Sequence, residues 1–136
     1  MTENMIVVES DPRFNFWKEY HLGIQISKSL IERLHPEIVA EDETTYRSQV
    51  GELGWSLMKK LHSLSGVSEM YFYTHSVTVY GAENVDWSLL GPKILEVLKQ
   101  VLQIKHPEIE EVLSQYISPD HFHIDDSARP SFVMPQ

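Results

Sequence analysis

The clearest hydrophobic pattern in the chain is a double alternation over residues 66–81. Apolar side chains recur at every second position on both sides of a polar break at residues 74–76. β-Branched and aromatic residues are frequent in both halves, which suits a pleated, half-buried surface. The segment therefore predicts a β-hairpin with one apolar face, formed by Met70, Phe72, Val77 and Val79. Because a hairpin alone is marginally stable in water, another element must cover that face.

A helix is predicted before the hairpin, over Tyr46–Leu64, where apolar residues recur every three or four positions. A threonine at residues 44–45 provides the cap, and Gly66 ends the helix. Trp55 and Met58 lie beside the apolar stripe and are expected to widen the packed face. An exposed docking patch is the alternative for these two side chains.

A second helix is predicted after the hairpin, over Trp87–Ile104, with Asp86 as its N-cap. Pro92 either bends this helix or marks its true beginning. Pro107 is expected to end it and to begin a C-terminal helix, because the glutamates that follow suit a helix N-terminus.

Shorter alternating segments precede the first helix. Residues 5–9, 13–17 and 22–26 are interpreted as three strands, with a turn at residues 10–12. Ser29–Leu34 can be either a helical turn or a strand, because six residues do not distinguish the two by periodicity. Ile38–Ala40 is interpreted as a small edge strand.

These elements predict an α+β fold. A mostly antiparallel sheet carries the two main helices on one face, because both apolar stripes can then be buried together, and the C-terminal helix is added alongside. We expect one domain over residues 1–117 and a tail over residues 118–136 that is partly disordered or docked.

The amino-acid composition limits the classes of function that are possible for this chain. The 136 residues carry a formal charge of −9, which disfavours nucleic acids and anionic membranes as partners. There is no cysteine, so disulfides, thiolate catalysis and all-thiolate metal sites are excluded on this chain. Neither a signal peptide nor an apolar run of about 20 residues is seen, so a cytoplasmic location is expected.

Three segments, in order, carry a resemblance to a known family. Residues 55–67 read WSLMKKLHSLSGV, the hairpin follows, and residues 86–94 read DWSLLGPKI. This series resembles the N-terminal domain of Nfu/NifU-type iron–sulfur scaffold proteins. Residues 6–16 are more weakly similar to the family's opening strand and turn. The resemblance therefore spans residues 5–99.

The chain departs from the family pattern at several positions. Tyr73 stands at the family's hairpin glycine, and Gly91 stands at its lysine before the proline. The second domain of full-length relatives, whose Cys-x-x-Cys binds the cluster, has no counterpart here.

The resemblance implies a non-enzymatic accessory or adaptor in iron–sulfur cluster assembly or delivery, which binds no cofactor by itself. Its partners would be assembly or client proteins, and self-association through the C-terminal helix or tail stays open. The candidate contact residues are aromatic side chains on the outer face of the hairpin and a neighbouring strand: Trp17, Tyr71, Tyr73 and Tyr80.

The tail contains the sequence DHFHIDD, which suggests a different function. In an extended strand His121, His123 and Asp125 would share one face, and these ligands suit a divalent metal. A metal-binding protein is therefore the alternative function. The same stretch could instead add to a sheet edge through Phe122 and Ile124, or be a polar tail that merely contains histidines.

Overall fold

The computed structural model describes residues 1–34 and 42–114, with the backbone alone at 32–34. This part of the chain forms one six-stranded sheet and three helices. In chain order they are β1 (Met5–Asp11), β2 (Phe14–Leu22), β3 (Ile31–Leu34), α1 (Glu43–Val50), α2 (Glu52–His62), β4 (Val67–Phe72), β5 (Ser76–Gly81), α3 (Trp87–Leu102) and β6 (Glu108–Leu113).

The strand order is β3-β4-β5-β2-β1-β6. The β1–β6 pair is parallel and the other neighbouring pairs are antiparallel. The predicted fold class, an α+β fold with a mostly antiparallel sheet, is confirmed.

The core forms where the helices meet one face of the sheet. The four apolar hairpin residues are fully buried and share one cluster with side chains of α2 and α3. Trp55 and Met58 belong to that cluster, so they widen the packed face and are not an exposed docking patch. Val7, which is also fully buried, is absent from the cluster because it points to the opposite face of β1.

The long first helix is in fact two helices. Gly51 has a φ of +94° and separates α1 from α2, and glycine takes this backbone conformation at little cost. Asp42, not a threonine, caps α1 by accepting a hydrogen bond from the backbone N–H of Thr45. α2 ends at His62, four residues before Gly66.

The prediction of a C-terminal helix after Pro107 is wrong. Residues Glu108–Leu113 form the edge strand β6, whose register places Ile109 beside Ile6 of β1. A glutamate-rich segment has no strong local preference for strand, so the pairing with β1 decides its structure. α3 begins at Trp87 with Asp86 as its N-cap, as predicted, but ends at Leu102, where Gln103 adopts the left-handed conformation.

The N-terminal strands also differ from the prediction. Residues 14–22 are one strand, and residues 23–26 do not continue it as a separate strand. Ser29–Leu34 contains β3, which resolves that ambiguity in favour of a strand. The proposed edge strand Ile38–Ala40 and the tail 118–136 lie outside the described residues.

Candidate functional site

An aromatic row crosses from β2 to β4. The ring of Phe14 meets that of Phe16 edge-on at 5.9 Å, and Phe16 stacks on Tyr80 at 6.1 Å. Tyr80 in turn lies 5.2 Å from Tyr71, and the guanidinium of Arg13 sits over Phe14. We call Phe14, Phe16, Tyr71 and Tyr80 the aromatic row.

Two of the predicted contact residues therefore belong to this row, and the other two lie near it. Trp17 is the register partner of Tyr80 on the neighbouring strand. Tyr73 follows β4, and its backbone N–H donates to the carbonyl of Ser76 across the turn. All four predicted residues are partly buried. Whether they contact another protein stays a prediction.

The most exposed members of the row were not among the predicted contact residues. Phe14 is 39% exposed and Phe16 49% exposed. The pairing of β1 with β2 is irregular here, because Ser10 pairs with Lys18 while the next residue, Asp11, pairs with Phe14. A bulge of this kind re-aims side chains, and a simple two-residue alternation does not predict it.

A second group of polar side chains lies at the centre of the sheet, on the face opposite the one that the helices cover. Glu9 of β1 is the direct register partner of Glu19 of β2, and His21 follows two residues later on the same face. The imidazole Nε2 of His21 lies 2.8 Å from Glu9 Oε1 and 3.9 Å from Glu19 Oε2. Ser76 of β5 donates its hydroxyl to Glu19 Oε2 at 2.7 Å. We call Glu9, Glu19 and His21 the carboxylate–histidine cluster.

This cluster is shielded from solvent. Glu9 is 4% exposed and Glu19 1% exposed, whereas the His21 side chain keeps limited access. Two oxygen donors and one nitrogen donor lie within 4.8 Å of one another. Such a donor set can hold a proton or a metal ion between the strands. Sequence reasoning missed it because it divided β2 into two segments, residues 13–17 and 22–26, and so assigned neither Glu19 nor His21 to a strand paired with β1.

The metal ligands predicted in the tail, His121, His123 and Asp125, lie outside the described residues, so that hypothesis stays a prediction. His75 is exposed in the turn between β4 and β5. None of the helices at 1–34 and 42–114 combines the length and apolar content needed to cross a lipid bilayer.

The fold and these sites define a class of protein: a small α+β domain without cysteine, which carries an aromatic row on its sheet. The family model described as "Scaffold protein Nfu/NifU N terminal" matches residues 28–105, more than half of the chain. The chain therefore belongs to the Nfu/NifU N-terminal scaffold family, and this membership suggests a role in iron–sulfur cluster scaffolding or assembly. The match confirms the resemblance for the helices and hairpin, while residues 5–27 precede the matched range.

Two solved structures are similar in outline. A crystal structure of protein SAV1430 from Staphylococcus aureus has 11% identity and a TM-score of 0.47, covering 67% of this chain and 93% of that one. A solution structure of a NifU-like protein from Saccharomyces cerevisiae has the same identity and TM-score, covering 85% of this chain and 91% of that one. No curated protein matches the chain.

Proposed function

We propose that this protein is a non-enzymatic adaptor in iron–sulfur cluster assembly or delivery, which acts in the cytoplasm by binding assembly or client proteins. The family membership supports the process. The aromatic row supports the mode of action, and it is the single observation on which the proposal depends: two phenylalanines of one strand are 39% and 49% exposed and continue into the tyrosines of the hairpin.

The chemistry of this surface favours a protein partner. Aromatic side chains bury a large area at a low cost in conformational entropy, and large aromatic residues are enriched at protein–protein interfaces. The chain contains no cysteine, so a thiolate-bound cluster would have to be held by the partner.

Site-specific photocrosslinking tests the proposal. A photoreactive phenylalanine analogue at Phe16 should crosslink to cluster-assembly or cluster-containing proteins, identified by mass spectrometry. The matched control is the same analogue at Leu89, an apolar residue of α3 that is 64% exposed and is not a member of the row.

Alanine variants complete the test. Phe14→Ala/Phe16→Ala and Tyr71→Ala/Tyr73→Ala should each weaken capture of the crosslinked partner at least tenfold, whereas Leu89→Ala should leave it unchanged. Equal crosslinking from Phe16 and Leu89, or capture that survives both double variants, would contradict an adaptor surface on the aromatic row.

A further inference from the structure

We propose that the carboxylate–histidine cluster binds one divalent first-row transition-metal ion. The cluster is distinct from the tail histidines, and Glu9, Glu19 and His21 all precede the residues matched by the family model. The inference does not rest on the proposed adaptor function.

The placement of the two glutamates favours a cation between them. Glu9 and Glu19 lie directly opposite each other on β1 and β2, and both are more than nine-tenths buried. Like charges at directly opposed positions of a sheet are destabilising, and buried charges need a partner or a metal. A cation between the two strands converts this repulsion into attraction.

The hydrogen-bonding capacity of the Glu9 carboxylate is only partly used. A carboxylate offers about four acceptor positions. Within the part of the chain that the structure describes, the Glu9 carboxylate has one polar contact, with His21 Nε2. A side chain that is 4% exposed and aimed into the cluster thus retains lone pairs for a further ligand.

Donor geometry and charge identify the class of ion. Bond lengths of about 2.0–2.2 Å place ligand atoms about 3–3.5 Å apart around a metal, and the 2.8 Å and 3.9 Å separations from His21 Nε2 bracket that range. Two carboxylates and a neutral imidazole carry a charge of −2, which a divalent ion balances. Imidazole with carboxylate favours Zn²⁺ or Fe²⁺ over the all-oxygen sites of Mg²⁺ and Ca²⁺.

Metal binding to the cluster displaces a proton. The metal replaces the proton on His21 Nε2, which leaves to solvent from the imidazolium or moves to Nδ1 when the ring is neutral. Ser76 keeps its hydrogen bond to Glu19 Oε2 and so orients that carboxylate as an outer partner. Three protein ligands would leave a coordination position for water or another donor, and the His21 side chain, which is 13% exposed, gives the cluster limited access to solvent.

Zn²⁺ titration of the full chain by calorimetry tests the site. A parent variant with His121→Gln/His123→Gln removes the tail ligands, and it should still bind one equivalent of Zn²⁺. Glu9→Gln, which keeps the shape of the side chain, should weaken binding at least 100-fold. Ser76→Ala, which leaves all three ligands in place, should weaken it about tenfold. His75→Gln removes an exposed histidine and is the matched control, with no change expected.

Thermal melts keep the test valid if a variant is less stable. Saturating Zn²⁺ should raise the Tm of the parent by at least roughly 5 °C, and that of Glu9→Gln by less than about 1 °C. The absorption spectrum of bound Co²⁺ should show mixed nitrogen and oxygen coordination. Loss of binding in the tail double variant, or equal affinity in Glu9→Gln and the parent, would overturn the proposal.

Discussion

The indole N–H of Trp87 donates a hydrogen bond to the backbone carbonyl of Asn15. This bond joins the first residue of α3 to the irregular part of β2, and the ammonium of Lys18 lies 5.4 Å from the centre of the same indole ring. The helix that covers the hairpin is thereby also fastened to the strand that carries the exposed phenylalanines.

Trp87→Phe should therefore lower the free energy of unfolding by about 1 kcal/mol, because the ring is retained while the donor is lost. Urea unfolding monitored by circular dichroism measures the change. Trp17→Phe is the matched control, since the indole of Trp17 makes no hydrogen bond within residues 1–34 and 42–114. A loss as large in the control would show that the hydrogen bond is not the cause.

Two leucines of the predicted apolar stripe on α2 differ in their exposure to solvent. Leu57 is fully buried, whereas Leu53, one turn earlier, is 37% exposed. Leu57→Ala should destabilise the protein by about 2–5 kcal/mol, because a cavity adds to the lost transfer energy, and Leu53→Ala by less than about 1 kcal/mol. Chemical denaturation of both variants checks this, and similar losses would contradict the packing of α2.

Gly54 lies where α2 packs against the backbone of Ile26, in the chain before β3. A Cβ at this position would fall 2.2 Å from the carbonyl oxygen of Ile26. Gly54→Ala gains up to about 1 kcal/mol in helix propensity, but overpacking costs about 1–3 kcal/mol, so we expect a net loss of stability.

The matched substitution is Ser56→Ala on the exposed side of the same helix, which should be neutral or slightly stabilising. Thermal unfolding of both variants decides the matter. A Gly54→Ala protein as stable as Ser56→Ala would mean that the helix does not approach Ile26 this closely.

The turn between β1 and β2 should respond to acid. Asp11 accepts hydrogen bonds from the side chain and the backbone N–H of Arg13, and the side-chain bonds hold the pKa of the Asp11 carboxyl below its usual range. A lowered pKa in the folded state stabilises the protein above the unfolded value of about 3.9. This contribution is lost as the pH falls through the folded value.

Asp11→Asn should consequently lower the Tm at pH 7, and the difference from the unsubstituted protein should shrink as the pH falls below about 4. Melting curves between pH 7 and pH 2 measure it, with Glu83→Gln, at an exposed carboxylate, as the control. A Tm difference that persists unchanged at pH 2 would contradict the assignment to the charged pair.

Local patterning was sufficient for the central part of the fold. Alternation identified the hairpin and its buried residues, and the 3–4 spacing identified the helical segments, because these periods follow from the geometry of each element. The break at Gly51 was missed because the apolar stripe continues across it.

The tertiary structure decided what depends on pairing between distant residues. Glu108–Leu113 became a strand only because β1, about 100 residues earlier in the chain, offered a free edge. Strand register decides the sites as well: a bulge in the β1–β2 hairpin brought Phe16 onto Tyr80, and the register of that hairpin set Glu9 against Glu19. Periodicity along the chain reports which face a side chain takes, whereas the neighbour it meets is determined by the register of another strand, which no local pattern contains.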